Sequence, residues 1–323
     1  MPVRDAEATV VRAAASILAT KGVPLELIAV DDGSTDSTIE VLEGLGDQRI
    51  RVIRAGRVGL VSALNQGVAA SKGKFIARMD ADDISPASRL PRQLARLQRG
   101  DVDIIGCRVR IRDSQGERVK TLQRYESWIN EHLDPASIAA LRFVESPLVH
   151  PTVLAHRVVF QLGYREGPWP EDYDLWLRAL GCGYRAVKLE FPLFHWTDHA
   201  GRLTRTDPRY SREAFDRCRR RHLLCGPLAG IARVDLWGGG KTGKPWLRWL
   251  QKAGVKVRHV VEVNPRKIGS CLHGVPVISP QALELADGVP MIVAVGAQGA
   301  RELIMRHLTP LGFRMGNDLW FVA

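Results

Sequence analysis

Twice in the first quarter of the chain a short apolar run ends directly on carboxylates. Residues 25–30 stop at Asp31-Asp32-Gly33-Ser34, and residues 75–79 stop at Asp80-Ala81-Asp82. Between them, residues 37–45 carry helical spacing, 50–54 read as a strand, and 60–70 read as a helix closed by Ser71-Lys72-Gly73; residues 10–20 are helical as well. This alternation predicts a parallel, doubly wound sheet, because parallel neighbours need a crossover and a helix supplies it. In such a sheet ligands bind outside the carboxyl ends of the strands. Both acid clusters are expected at such ends.

Further along, residues 89–99 read as a helix and 103–112 as a strand, 117–150 hold no regular period, and 171–180 return to helical spacing. At 225–232 the composition shifts to Cys-Gly-Pro-Leu-Ala-Gly-Ile-Ala. A new unit then opens at Val234 with strand, Gly-rich turn, helix (245–253), strand (256–263), strand (291–295) and helix (301–308). That order predicts a small Rossmann-like α/β domain. Two domains are therefore expected, 1–225 and 233–323, as suits a chain of 323 residues. In the second, Gly238, Gly240 and Gly243 satisfy G-x-G-x-x-G between a strand and a helix, where backbone N–H groups can receive a phosphate, and Glu262 stands where an acidic ribose partner is expected. The run from Val263 to Pro280 resembles small Rossmann-like modules attached to sugar-modifying enzymes, so a structural or acceptor-side role stands equally beside nucleotide binding. No catalytic set for a dehydrogenase accompanies the turn.

Hydrophobic residues make up 45% and charged residues 25%, the balance of a soluble globular protein, and no apolar run approaches the roughly 20 residues that span a bilayer. With Asp5 and Glu7 near the start, residues 1–20 do not read as a secretory signal. Five scattered cysteines without a C-x-x-C pair fit free thiols in a reducing compartment. A cytoplasmic protein is expected, with peripheral contact at the inner face of the membrane as an option. Forty-six Lys and Arg against 35 Asp and Glu give +11, which favours anionic partners. Much of the surplus lies in the arginine-rich stretch 201–222, where Arg202 and Arg205 are the candidates to approach a diphosphate or other anionic groups. Residues 211–224 read as a basic helix with Phe215, Leu223 and Leu224. Such a helix could rest on anionic lipid, although packing between domains is the preferred reading. Nucleic acid is excluded as a partner, since no aromatic-interleaved basic platform accompanies the arginines.

The carboxylates themselves suggest a division of labour. Asp31 and Asp32 can accept hydrogen bonds from a nucleobase or ribose. Two carboxylates one residue apart, Asp80 and Asp82, can share work between a ribose and a hard divalent cation such as Mg²⁺ or Mn²⁺. Glu171-Asp172 opens a helix after Pro170, where the helix dipole favours the ionised form, and either can serve as a general base. A lone D-D-G-S or D-A-D-D is more often a turn or helix cap; three acid clusters in this order are hard to obtain by capping alone.

Taken together, D-D-G-S-T-D-S-T (31–38), the run from Asn65 to Asp83 ending R-M-D-A-D-D, and P-E-D-Y-D-L-W-L-R (170–178) resemble a family 2 glycosyltransferase of the GT-A fold, over about residues 2–210. The resemblance implies a transferase that takes a sugar from a nucleotide-sugar donor, UDP-linked by preference, to a glycan or lipid-linked acceptor with inversion. It assigns Asp31 or Asp32 to the base, Asp80 to the ribose, Asp82 to the metal (Mn²⁺ or Mg²⁺) and Asp172 to the catalytic base. His199 matches the family's late histidine near the metal, with His195 close by. Family members open with an apolar strand before their P-V-x-x-A-E-A-T-like segment, whereas here Met1 stands directly on Pro2-Val3. The first strand is thus expected to be missing, with a misassigned start preferred over a true truncation. Two alternatives stay open: an inactive transferase domain serving as a nucleotide-sugar sensor or scaffold, and a sugar-phosphate nucleotidyltransferase, which would need a Gly- and Arg-rich phosphate loop not seen here.

Overall fold

The computed structural model describes residues 1–323 and divides them into two compact units, Met1–Ile138 with Pro147–Cys218, and Ala139–Ser146 with Arg219–Ala323. The first unit opens with strand β1 (Pro2–Val3), helix α1 (Val10–Leu18), β2 (Leu27–Asp31), α2 (Thr38–Glu43), β3 (Ile50–Arg54), α3 (Leu60–Ala70) and β4 (Phe75–Ala77). It continues with α4 (Arg89–Leu97), β5 (Ile104–Asp113), α5 (Gln123–Glu131), α6 (Pro135–Leu141), β6 (Leu154–His156), α7 (Arg157–Phe160), α8 (Glu171–Gly181), β7 (Ala186–Asp198), α9 (Leu203–Thr206) and α10 (Arg212–Cys225), of which α6 and α10 begin in this unit and end in the second. Helix α1 forms because Val10, Ala13, Ala14, Ile17 and Leu18 fall on one stripe, and all five are buried. Strand β2 is buried at every position, the pattern of a strand covered on both faces.

Seven strands make two sheets rather than one. Strands β1-β2-β3 are parallel; β4-β6-β5-β7 is mixed, with β6 antiparallel to both neighbours and β7 parallel to β5 across a bulge at Cys107–Val109. Pro2 and Val3, where the sequence reading expects the first strand to be missing, form β1 and pair in parallel with Val30 and Asp31. Beyond them lies a cavity of about 560 Å³, lined by Ile28 on β2, Leu64 and Val68 on α3, Ile76 beside them on β4, and Leu90 and Leu94 on α4. The Met1 nitrogen closes one side, donating to the Ile28 carbonyl at 2.9 Å. No helix of the chain is long and apolar enough to cross a membrane.

The second unit carries β8 (Arg233–Trp237), α11 (Gly243–Lys252), β9 (Lys256–Val261), β10 (Cys271–Leu272), β11 (Val275–Ile278), β12 (Met291–Val293), α12 (Ala300–Leu308) and β13 (Leu319–Phe321). Its sheet order is β10-β11-β9-β8-β12-β13, parallel except for β10, which is a Rossmann-like winding outward from β8. The excursion 139–146 belongs here because Leu141 enters this unit's core beside Trp237 and Phe321, and Arg219 donates to the carbonyls of Phe143 and Val144. At the turn after β8, Gly238 holds φ +119°, and a Cβ on Gly243 would stand 1.7 Å from the Gly238 carbonyl oxygen. Gly243→Ala is accordingly expected to destabilise this unit by about 2–4 kcal/mol, read as an earlier urea transition from the tryptophans on β8, α11 and β13. An unchanged midpoint would show that the turn relaxes freely.

Candidate active site

The first acid cluster is built into its own turn. Asp31 Oδ1 accepts from the Ser34 N–H (2.9 Å) and hydroxyl (2.6 Å), while Asp32 Oδ1 accepts from the N–H groups of Val58 (2.8 Å) and Gly59 (2.7 Å) ahead of α3. Gly33 between them sits at φ +76°, and a Cβ there would press to 2.8 Å on the Arg57 side chain. Both aspartates are buried. The turn-and-cap chemistry that D-D-G-S carries in general is therefore present here, and it fixes the loop at the carboxyl end of β2.

The second cluster is more convergent. After β4 the chain places Asp80, Asp82 and Asp83 so that one oxygen from each lies within 4.8 Å of the others. Asp83 is 1% exposed; its Oδ1 accepts the Thr197 N–H at 2.7 Å and its Oδ2 is enclosed with no hydrogen-bond partner. Burial, with Asp80 and Asp82 beside it, pushes the Asp83 carboxyl well up. The strand that brings Thr197 is β7, which runs past the cluster through a two-bond bridge between Ile84 and His195. That bridge carries His199 onto Asp82, with Nε2 donating to Oδ2 at 2.8 Å. His195 faces Arg110 and Arg112 instead; burial first, and these two charges second, lower its pKa.

The third pair opens α8. Glu171 is 2% exposed and both of its oxygens accept the Tyr210 hydroxyl, at 2.9 and 2.8 Å. Asp172 is half-buried, and its Oδ1 accepts the Tyr173 N–H at 2.7 Å. Burial first, and the Glu171 charge second, raise the Asp172 carboxyl to about 8. Burial raises Glu171 as well, opposed by Tyr210, Arg209 and Arg78.

Arg78 joins the second and third clusters. Its guanidinium, 6% exposed, holds Asp80 Oδ1 at 2.5 Å and exerts its charge on Glu171 and Asp172. Below it Arg89 donates to the carbonyl oxygens of Arg78 (3.1 Å) and Pro151 (2.5 Å). Neither arginine was singled out from the sequence, although an arginine inside the apolar run F-I-A-R-M was the visible signal. Asp83 reads in the sequence as a capping or structural residue and Tyr210 carries no signal there; their partners Thr197 and Glu171 lie 114 and 39 residues away.

Of the two arginines expected near a diphosphate, Arg202 stacks over Trp196 at 4.2 Å and exerts its charge on Asp83. Arg205 is instead tied to Asp198 by two hydrogen bonds of 3.1 and 2.6 Å, which neutralise its charge. In the second unit Glu262 is taken up by Lys267 (3.0 Å) and by the N–H groups of Val263 and Asn264. It lies beside the Gly-rich turn, where a Cβ on Gly239 would stand 3.0 Å from its Oε2.

Residues 1–161, which hold the first two clusters, match the family model described as glycosyl transferase family 2. Residues 1–161 belong to that family. Among curated relatives, the putative glycosyltransferase EpsE of Bacillus subtilis is 27% identical over 84% of this chain and 96% of its own length. The bifunctional glycosyltransferase pgtA of Dictyostelium discoideum is 30% identical over 54% of this chain, which spans only 27% of pgtA. In structure the chain resembles S. aureus TarS 1-349, solved in complex with UDP-GlcNAc, with TM-score 0.54 and 18% identity over 70% of this chain and 65% of that one. That likeness identifies the fold as GT-A-like, a mixed α/β arrangement.

Proposed function

We propose that the chain transfers a sugar from a nucleotide-sugar donor to a glycan or lipid-linked acceptor, with inversion at the sugar carbon. The observation that carries this is the meeting of two different carboxylate sets around Arg78: a cation-type cluster at Asp80–Asp83 and the adjacent carboxyls of Glu171 and Asp172, both raised by burial. A turn or a helix cap needs neither.

The donor set fits a hard divalent cation, Mn²⁺ or Mg²⁺. It offers clustered carboxylate oxygens and an imidazole, and Asp83 Oδ2 is a buried acceptor with nothing donating to it. Asp82 and His199 would hold the ion, and Asp83 is locked beneath them by Thr197. When bound, the ion supplies Lewis-acid neutralisation of the departing diphosphate. Asp80, steadied by Arg78, takes the ribose hydroxyls; the Asp31–Asp32 loop receives the nucleobase; Arg202 faces the phosphates. Arg205 is left out of this reading, because Asp198 already satisfies it. Asp172 accepts the acceptor hydroxyl's proton as that oxygen attacks.

UDP is the first nucleotide to try, given the fold shared with TarS, whose described complex holds UDP-GlcNAc. The test is a screen for nucleoside diphosphate release from UDP-, GDP- and TDP-sugars with Mn²⁺, for wild type and Asp82→Ala. Release from one donor class, lowered about 100-fold or more in the variant, is expected, as for loss of a group that neutralises the leaving diphosphate. Donor binding without release across acceptors would favour a nucleotide-sugar sensor.

A further inference from the structure

Residue chemistry alone leaves open whether Glu171 or Asp172 is the base, and a residue outside the acid motif bears on the choice. Tyr210 spans Glu171, its hydroxyl within 2.9 and 2.8 Å of the two carboxylate oxygens. The turn that delivers it is fixed from within. Pro208 sets the first backbone angle, Asp207 caps the turn by accepting the Arg209 N–H at 2.8 Å, and the Tyr210 N–H donates to the Asp207 carbonyl at 3.0 Å. Arg209 is clamped on Asp207 at 2.7 Å and still exerts its charge on Glu171. A side chain from a loop 39 residues away is thus presented to Glu171 with little freedom of its own.

We propose that Tyr210 is a positioning residue for the acid pair: by occupying both oxygens of Glu171 it stabilises the charge there and leaves Asp172 to take the acceptor proton. This rests on the reading of Glu171–Asp172 as the site of proton transfer. Two adjacent carboxyls in a buried place titrate as a coupled pair, so a donor aimed at one of them decides which ionises first. The charged and titratable groups facing the pair are Arg78 after β4, Arg209 and Tyr210 on the turn, and Tyr164 between α7 and α8. Of these only Tyr210 donates a hydrogen bond to Glu171. Removing its hydroxyl takes stabilisation from Glu171 alone. Glu171 then holds its proton to higher pH, and Asp172, relieved of a neighbouring charge, ionises at lower pH.

The test is a cycle of Tyr210→Phe, Glu171→Gln and the double variant, read by diphosphate release from the donor found in the screen. Tyr210→Phe is expected to lower kcat about tenfold with donor KM nearly unchanged, to move the acid limb of the pH profile to lower pH, and to add nothing in the Glu171→Gln background. Effects that multiply, or a loss confined to KM, would overturn the proposal. A ¹³C carboxyl titration of wild type and folded Tyr210→Phe, with resonances assigned through Glu171→Gln and Asp172→Asn, reads the same point without turnover. Glu171 ionises before Asp172 in wild type and after it in the variant. An unchanged order refutes the role of Tyr210 even if no donor is ever turned over, whereas a reversed order with no turnover by wild type would sink the transferase reading alone.

Discussion

Asp172→Asn is expected to lower sugar transfer by about three orders of magnitude while leaving nucleotide affinity unchanged, the signature of a lost general base. The amide keeps the shape of the side chain and the acceptor for the Tyr173 N–H, so α8 should start as before. Asp172 also lies outside the cation cluster of Asp80, Asp82 and Asp83, which is why donor binding should survive. What disappears is the ionisable oxygen. Since burial and Glu171 hold the Asp172 carboxyl up at about 8, the base is mostly protonated at neutral pH, and wild-type transfer should climb with pH through that range. The residual activity of Asp172→Asn should lack that limb. Normal transfer by the variant, measured as kcat and KM from pH 6 to 9, would remove Asp172 from the mechanism.

How far the sequence could be read depended on how local each determinant was. Strands β2 and β4 were legible because an apolar run stops on carboxylates, and β3 and α3 fell where their periods placed them, at Ile50–Arg54 and Leu60–Ala70. Strand β7 was not assigned: Glu190, Phe191 and Pro192 interrupt its alternation where it bulges against β5. Yet β7 delivers Thr197 and His199, so the sequence could offer His199 and His195 only as alternatives. The Ile84–His195 bridge separates them, and it is a contact across 111 positions that no window of sequence contains. The second unit's claim on residues 139–146 was equally out of reach, because Leu141 is an ordinary helical leucine until Trp237 and Phe321 are seen around it. For Asp31 and Asp32 the bland chemistry is what the structure displays, since their hydrogen bonds go to the turn.

The most direct measurement is a calorimetric titration of UDP into the purified chain with and without Mn²⁺, repeated with Asp82→Ala. The account predicts binding that Mn²⁺ strengthens in wild type, and loss of that metal dependence in the variant, because Asp82 and His199 would anchor the ion beside the diphosphate. UDP binding by well-folded wild type that is indifferent both to Mn²⁺ and to Asp82 would contradict it, and would take the cation away from the Asp80–Asp83 cluster.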